Sequence, residues 1–545
     1  LAIICAFFVA RRIAGNFAGL VAGTALGLNS ALLGRTPAGF SDTDAYIVFF
    51  PLLVVWLFAE AIYTKETWKK FTFIGLSGVA TSLFMLFWSN GWHIGSLVVG
   101  ALGVYFIYLL IKHFKVVKKH PKKFFFSRPG ELILMGMTFL LSAGIMSQLI
   151  GWITGLRQGF GNTVGQFLLG PAGATSIKTV ASIDIWPNVL TTVAELNPGS
   201  WGQVLNSING PLFFIIGILG AILAIFPLVK KEDLRVHYLA LLVLWFGGLS
   251  VAGVLAMRFI ALLAAPFAIA FGAFFGMCFV LAKRIDQKDV KIGAQVLLVV
   301  IAVVLFIAPV TTAQNIGRSE IPTMNDAWVT SLEEIGADTE DGIITSWWDF
   351  GHWFVNKAEE RVTFDGGDQG KRIYWVGKLL MTSDVEENKG ILRMLNCGQN
   401  QGYETLLKHT ESNYRASTLV NSIVTQSREE AQQTLSNAGL SENEQANVLG
   451  WTHCPNEELL DQYVIASQDM ISKANVWAHF GSWDFDRAYI YSVVRIQPYE
   501  QAIQTMATEL GITNEDEAAQ LYFEANNLQG GRDVDSWVEI GRAHV

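Results

Sequence analysis

Residues 259–282 read FIALLAAPFAIAFGAFFGMCFVLA, 24 positions without a charge or a carboxamide. At 1.5 Å of rise per residue, ~20 apolar residues of helix cross a hydrocarbon layer of ~30 Å. The stretch is long enough to span a bilayer and too apolar for a water-facing surface. Arg258 stands directly before it and Lys283 and Arg284 directly after it, so charge marks both ends.

On either side of this run, about ten stretches meet the same criterion. They lie near 1–10, 14–33, 45–63, 71–88, 92–111, 131–153, 211–229, 236–255, 259–282 and 292–312. Cytoplasmic loops keep Lys and Arg, and the basic clusters here alternate. Arg11 and Arg12 follow the first run, Lys65, Lys69 and Lys70 the third, and a group from Lys112 through Lys123 the fifth. Lys230, Lys231 and Arg235 follow the seventh, and Lys283, Arg284, Lys288 and Lys291 the ninth. Every second loop is therefore expected inside. The outer side is expected to hold 34–44, 89–93, the long loop 154–210, Met257–Arg258 and everything after about Thr312. By the same alternation Leu1 begins outside, and an opening inside an apolar run without Met reads as an N-terminal fragment. The last residues, EIGRAHV at 539–545, read as translated adapter.

Composition agrees with a chain in two parts. Of 545 residues, 51% are hydrophobic, which favours a membrane protein over a soluble one. Residues 1–312 hold 23 Lys and Arg against 11 Asp and Glu, leaving 16 against 36 for residues 313–545. A basic apolar part of charge +12 thus precedes an acidic part of charge −20, as expected of a membrane domain over 1–312 joined to a soluble domain over 313–545. In the acidic part, helical periodicity is clearest at 429–436 and 514–526. Arg361–Phe364 and Asp461–Ala466 read as strands, and Gly366-Gly367 and Pro455-Asn456 as turns, so a mixed α/β domain is expected. Cys5 and Cys278 lie in apolar runs and read as buried thiols. Cys397 and Cys454 would be free to pair in an oxidising compartment.

The outward loops, sparse in charge, hold acids near the membrane edge. GRTPAGFSDTDAY places Asp42 and Asp44 two apart, and carboxylates so spaced in an extended segment can converge on one hard divalent cation. A solvated loop pair is the plain alternative. Glu195, in WPNVLTTVAELNPGSWG, stands in an apolar stretch where a carboxylate is costly unless paired or ligating; a helix start capped by Thr191 or Thr192 would also explain the local pattern. Arg258 offers a fork of donors suited to phosphate, although snorkelling to lipid headgroups would place it equally well. In ITSWWDFGHWF, two adjacent indoles, an acid and a glycine are costly on a soluble surface, whereas core packing explains any single tryptophan.

Trp347-Trp348-Asp349-Phe350-Gly351 resembles the Trp-Trp-Asp-Tyr-Gly signature of oligosaccharyltransferase catalytic subunits, with Phe in the Tyr position. Asp42-Thr43-Asp44 is similar to the family's second acidic motif. Thr192-Val193-Ala194-Glu195 resembles its Thr/Ser-Val/Ile-X-Glu motif, and Arg258 resembles the arginine on the lipid-linked phosphate. The order matches, the likeness covers nearly the whole chain, and its wording is closest to archaeal members. Two departures stand out. The family's first acidic motif would precede Leu1, and its Asp-X-X-Lys motif is approximated by Asp469 and Lys473 with one residue more between them.

The resemblance implies a polytopic helical membrane domain of the GT-C type followed by an extracytoplasmic α/β domain. It implies transfer of an oligosaccharide from a dolichyl or other polyprenyl (di)phosphate carrier to Asn of Asn-X-Ser/Thr, with inversion. The implied partners are the lipid-linked oligosaccharide, an acceptor polypeptide and the membrane, with no nucleic acid. Mn²⁺ or Mg²⁺ would sit on Asp42, Asp44 and Glu195, with Asp42 and Glu195 catalytic and Arg258 on the lipid phosphate. Trp347, Trp348, Asp349 and Lys473 would receive the sequon. A protein O-mannosyltransferase shares acidic outer loops but lacks the double-Trp signature. A transporter or sensor needs ionisable groups near the bilayer midplane, whereas the candidates Glu60 and His237 fall near span ends.

Overall fold

The computed structural model describes residues 1–36, 43–114, 128–154, 159–169, 185–189, 192–227, 233–367, 369–529 and 531–539. Asp42, Thr191, Lys230, Lys231, most of the basic group 112–123, and 540–545 lie outside the described residues. The chain divides into two compact units, Leu1–Ile177 with Ala194–Thr323, and Lys178–Val193 with Met324–Val545. The division thus falls at Thr323 rather than at Thr312, and part of the long loop 154–210 belongs to the second unit.

The first unit is helical. Lipid offers no partner to backbone N–H and C=O groups, so an apolar run satisfies them within itself as helix. Each of the apolar runs carries one, including Asp44–Tyr63, Trp92–Lys112, Ala264–Ala282 and Lys288–Ser319. Among the described residues, six helices are long and apolar enough to cross a membrane, or seven if Trp201–Ser207 and Pro211–Leu223, bent by 77°, make one span. Ala2–Ala14 and Asn16–Gly27 are shorter because Gly15, at φ 86°, breaks the helix between them. Lipid gives helices little hydrophobic reason to associate, so small residues that admit close backbones matter most. A Cβ on Gly272 would collide with the Ala18 carbonyl, and one on Gly276 with the methyls of Ala14 and Ala18. Charges near helix ends are paired, Arg12 with Glu60 and Lys70 with Glu131. Cys5 is buried and Cys278 half-buried.

The second unit is built on three short parallel strands in the order β2-β1-β3, with β1 Gly342–Thr345, β2 Arg361–Val362 and β3 Asp461–Val464. β1 pairs Ile343 with Arg361 on one side and with Gln462 on the other. All four β1 residues are buried, as a central parallel strand requires. The segments read as strands at 361–364 and 461–466 carry β2 and β3. The periodic segments at 429–436 and 514–526 fall in the helices Arg428–Asn437 and Glu515–Asn527. Trp186 enters the core of this unit, its ring centroid 4.8 Å from those of Tyr403 and Phe485, while the Ile185 carbonyl accepts from Trp483 Nε1 at 2.8 Å.

A disulfide joins Cys397, in the helix Val385–Gly398, to Cys454, just past the helix Glu442–Thr452. The two are separated by 57 positions. Closing a loop of that length in the unfolded chain is worth roughly 4 kcal/mol by chain entropy. Chemical unfolding of the second unit followed by tryptophan fluorescence, with and without reductant, should show a loss of that order; a loss under ~1 kcal/mol would contradict it.

Candidate active site

In the first unit, two carboxylates meet on one cation. Arg35 Nη1 donates to Asp44 Oδ2 at 2.9 Å and to Glu195 Oε1 at 2.6 Å. Asp44 begins the helix Asp44–Tyr63 as its first-turn acid, where the helix dipole favours a negative charge. Arg35 follows the short helix Ser30–Leu33, whose start is fixed by Asn29. The Asn29 carbonyl oxygen Oδ1 accepts from Leu32 N at 3.1 Å, and its Nδ2 donates to Ser207 O at 2.9 Å, with the residue buried.

Glu195 sits in the 3₁₀ turn Ala194–Leu196, and this turn is stitched to the segment that carries Arg258. Arg258 N donates to Glu195 O at 2.8 Å and Met257 N to Asn197 O at 3.0 Å. A Cβ at Gly199 would meet the carbonyl of Gly253, so this close approach needs glycine there. Ser200 and Gln203 then form a capping box that starts the helix Trp201–Ser207. The Thr192 hydroxyl donates to Val189 O at 3.2 Å instead of capping. Arg258 is exposed, with no ion-pair partner among the described residues.

Glu195, Asp44 and Arg258 are therefore brought together by residues distant in the chain, and Asp42 lies outside the described residues. No group of three or more His, Cys, Asp or Glu able to hold a metal occurs among the described residues. The donor set nonetheless suits a hard cation. Two carboxylate oxygens already converge on one positive nitrogen, and Asp42 is two residues from Asp44. Arg35 was not among the residues singled out from sequence. Its signal was its place as the one cation in GRTPAGFSDTDAY, beside two acids.

In the second unit, the WWDFG segment directly follows β1. Strand order reverses about β1, and in open parallel sheets ligands bind beyond the carboxyl ends of strands at such a switch point. Trp347 is buried against Phe364 and Phe480, with centroids 5.9 and 6.0 Å away. Trp348–Phe350 form a 3₁₀ turn in which Trp348 and Asp349 are half-buried. The segment past β3 supplies Asp469 and Lys473. Lys473 Nζ lies 2.9 Å from Asp349 Oδ1 and 2.9 Å from Asp469 Oδ2, and 5.4 Å from the Phe350 ring centroid. Asp349 Oδ2 is buried and accepts no hydrogen bond among the described residues.

Burial opposes charge on both Asp469 and Lys473. Hydrogen bonds from Ser467 and Lys473 still hold Asp469 below the usual carboxylate range, and bonds to Asp469 and Asp349 hold Lys473 above the usual ammonium value. A depressed carboxylate stabilises above its unfolded pKa of ~3.9, and a raised ammonium stabilises below ~10.4.

The fold and site together define an integral membrane protein with a helical membrane domain that positions acids and an arginine, joined to a unit with a Trp-Trp-Asp turn. The sequence profile of the family described as oligosaccharyl transferase STT3, N-terminal, matches residues 1–316, and the chain belongs to that family. It is 29% identical to a dolichyl-phosphooligosaccharide-protein glycotransferase of Methanococcus voltae, covering 93% of this chain and 65% of the relative. Its identity to the protein of that name from Methanocaldococcus jannaschii is 28%, covering 88% of this chain and 65% of the relative. The chain thus spans 65% of the length of these relatives. A crystal structure of the Archaeoglobus fulgidus oligosaccharyltransferase in the apo form shares the fold, with a TM-score of 0.51 and 15% identity, over 90% of this chain and 60% of that one.

The Lys473 cluster gives a prediction with a sign. Lys473→Met should lower stability by about 1 kcal/mol, discounted for partial exposure, between pH 5 and 9. Its melting temperature should approach that of the parent only as acidification passes the depressed pKa of Asp469, where that carboxylate becomes neutral. A gap undiminished after full acidification would show that Lys473 acts through packing instead.

Proposed function

We propose that this chain is the catalytic subunit of an oligosaccharyltransferase, moving an oligosaccharide from a dolichyl or other polyprenyl (di)phosphate to Asn of Asn-X-Ser/Thr. The observation that carries the acceptor half of this reading is the orphaned Oδ2 of Asp349. Lys473 holds Asp349 Oδ1 and fixes the carboxylate, leaving Oδ2 to accept a hydroxyl proton. A buried acceptor without a partner is costly, so a ligand hydroxyl that fills it is selected strongly over an analogue that lacks one. The half-buried Trp348 supplies an apolar wall for a threonine methyl, and Trp347 anchors the turn from beneath.

The transfer half rests on the first unit. An amide nitrogen is a weak nucleophile because its lone pair is delocalised into the carbonyl. Glu195 and Asp42 accept hydrogen bonds from the acceptor amide N–H groups, which favours a nitrogen whose lone pair points at the anomeric carbon. Arg258, exposed and locked by its backbone to Glu195, stabilises the departing phosphate. Attack on the face opposite the phosphate forms the N–C bond as the anomeric C–O bond to phosphate breaks, inverting the centre, and the proton the nitrogen loses passes to a carboxylate of the site. Asp42, Asp44 and Glu195 would hold Mn²⁺ or Mg²⁺, which when bound supplies a Lewis acid to the phosphate oxygens.

In this reading the chain spans the cell membrane several times, with the second unit outside the cytoplasm. The alternating basic clusters of residues 1–312 and the Cys397–Cys454 disulfide favour that side, since cytoplasmic loops keep Lys and Arg and an oxidising compartment preserves such a bond.

Membranes containing the full-length protein, given lipid-linked oligosaccharide and a labelled Asn-X-Thr peptide, should yield glycopeptide; no transfer under those conditions would overturn the reading. Asp349→Ala leaves Lys473 paired with Asp469, and should weaken Asn-X-Thr peptide binding by about 10- to 100-fold while barely changing that of Asn-X-Ala. Equal losses for both peptides would contradict the hydroxyl pocket.

A further inference from the structure

We infer that Arg35 is a built-in competitor for the divalent cation: its guanidinium holds the space between Asp44 and Glu195, and a cation enters as Arg35 withdraws. The inference rests on the metal reading above. Both carboxylates turn an oxygen to the same nitrogen, at 2.9 and 2.6 Å. A hard cation seeks those oxygens at ~2.0–2.6 Å. Bound there with Arg35 in place, it would sit beside a second positive charge, and like charges at such range repel strongly.

Arg35 is placed so that it can leave. Its side chain is 39% exposed and that of Glu195 36%, so the guanidinium already touches water. Its backbone is tied to the preceding turn, Arg35 N donating to Leu32 O at 3.1 Å, and Asn29 pins the start of that turn. Withdrawal thus needs only side-chain rotation. An exposed ion pair contributes little stability, so its loss is not a large barrier.

Two consequences follow for the reaction. In the absence of metal, Asp44 and Glu195 stay compensated and close together, so the site is neither splayed by repulsion nor burdened with bare carboxylates. A cation must also bind the competent arrangement well enough to displace a guanidinium, which lowers its apparent affinity by the fraction of chains in which Arg35 is withdrawn. Sodium and potassium, carrying one charge, gain nothing over the guanidinium they would replace.

The test is Mn²⁺ binding to the full chain in detergent, read from the electron paramagnetic resonance of free Mn²⁺. Arg35→Gln should tighten binding about tenfold or more, and Arg35→Lys, which keeps a charge without the planar fork, should tighten it less. Unchanged or weaker Mn²⁺ binding by Arg35→Gln would overturn the inference and make Arg35 an outer support of the carboxylates. Glu195→Gln serves as the control. If the parent binds no more Mn²⁺ than this variant, the metal reading itself fails and takes the inference with it. Phenylglyoxal labelling of the parent needs no variant: Mn²⁺ should accelerate modification of Arg35, and no change or slower modification would overturn the inference.

Discussion

The first unit depends on one electrostatic constraint: carboxylates near a bilayer edge must be compensated. Asp44 and Glu195 meet that constraint jointly, on one guanidinium nitrogen. The surrounding architecture brings them there. Asn29 ties the turn before Arg35 to the helix Trp201–Ser207, Gly199 lets the Glu195 loop approach Gly253, and two backbone hydrogen bonds fasten that loop to Met257 and Arg258. The same contacts that satisfy a structural requirement tie the Glu195 loop to the backbone of the exposed Arg258.

The second unit reaches its site by topology. A central parallel strand with neighbours on both sides sends its following residues into the crevice where strand order reverses. Trp347 fills the core beneath, so the backbone of the WWDFG turn is fixed, and Asp349 emerges at its edge with one oxygen held by Lys473. The extra residue between Asp469 and Lys473 is tolerated because i and i+4 share a helix face, and the pair bonds across that one turn. A spacing that differs from the family's pattern therefore still delivers the lysine to Asp349.

Much of the helical unit was legible because an apolar run in lipid has few alternatives to helix. What the runs did not reveal were the breaks, at Gly15 and in the 77° bend before Pro211, since both depend on backbone angles that packing selects. β1 escaped detection because four buried residues, Gly342–Thr345, show no alternation to read. The WWDFG string was readable because two indoles beside an acid are improbable without a purpose. Arg35 was not, because its partnership with Glu195 joins residues 160 apart and no local pattern records it. Trp186 was hidden for a similar reason, being a loop residue by sequence and a core residue of the second unit by contact.

The central claim is that Asp44 and Glu195 form one cation-sized electronegative seat. The most direct measurement is anomalous X-ray scattering at the manganese edge from crystals of the full chain grown with Mn²⁺. The account predicts a single strong peak within ligand distance of both carboxylates, with the Arg35 guanidinium displaced from between them. A peak that contacts neither, or a guanidinium still bridging the two acids while the ion sits elsewhere, would contradict it.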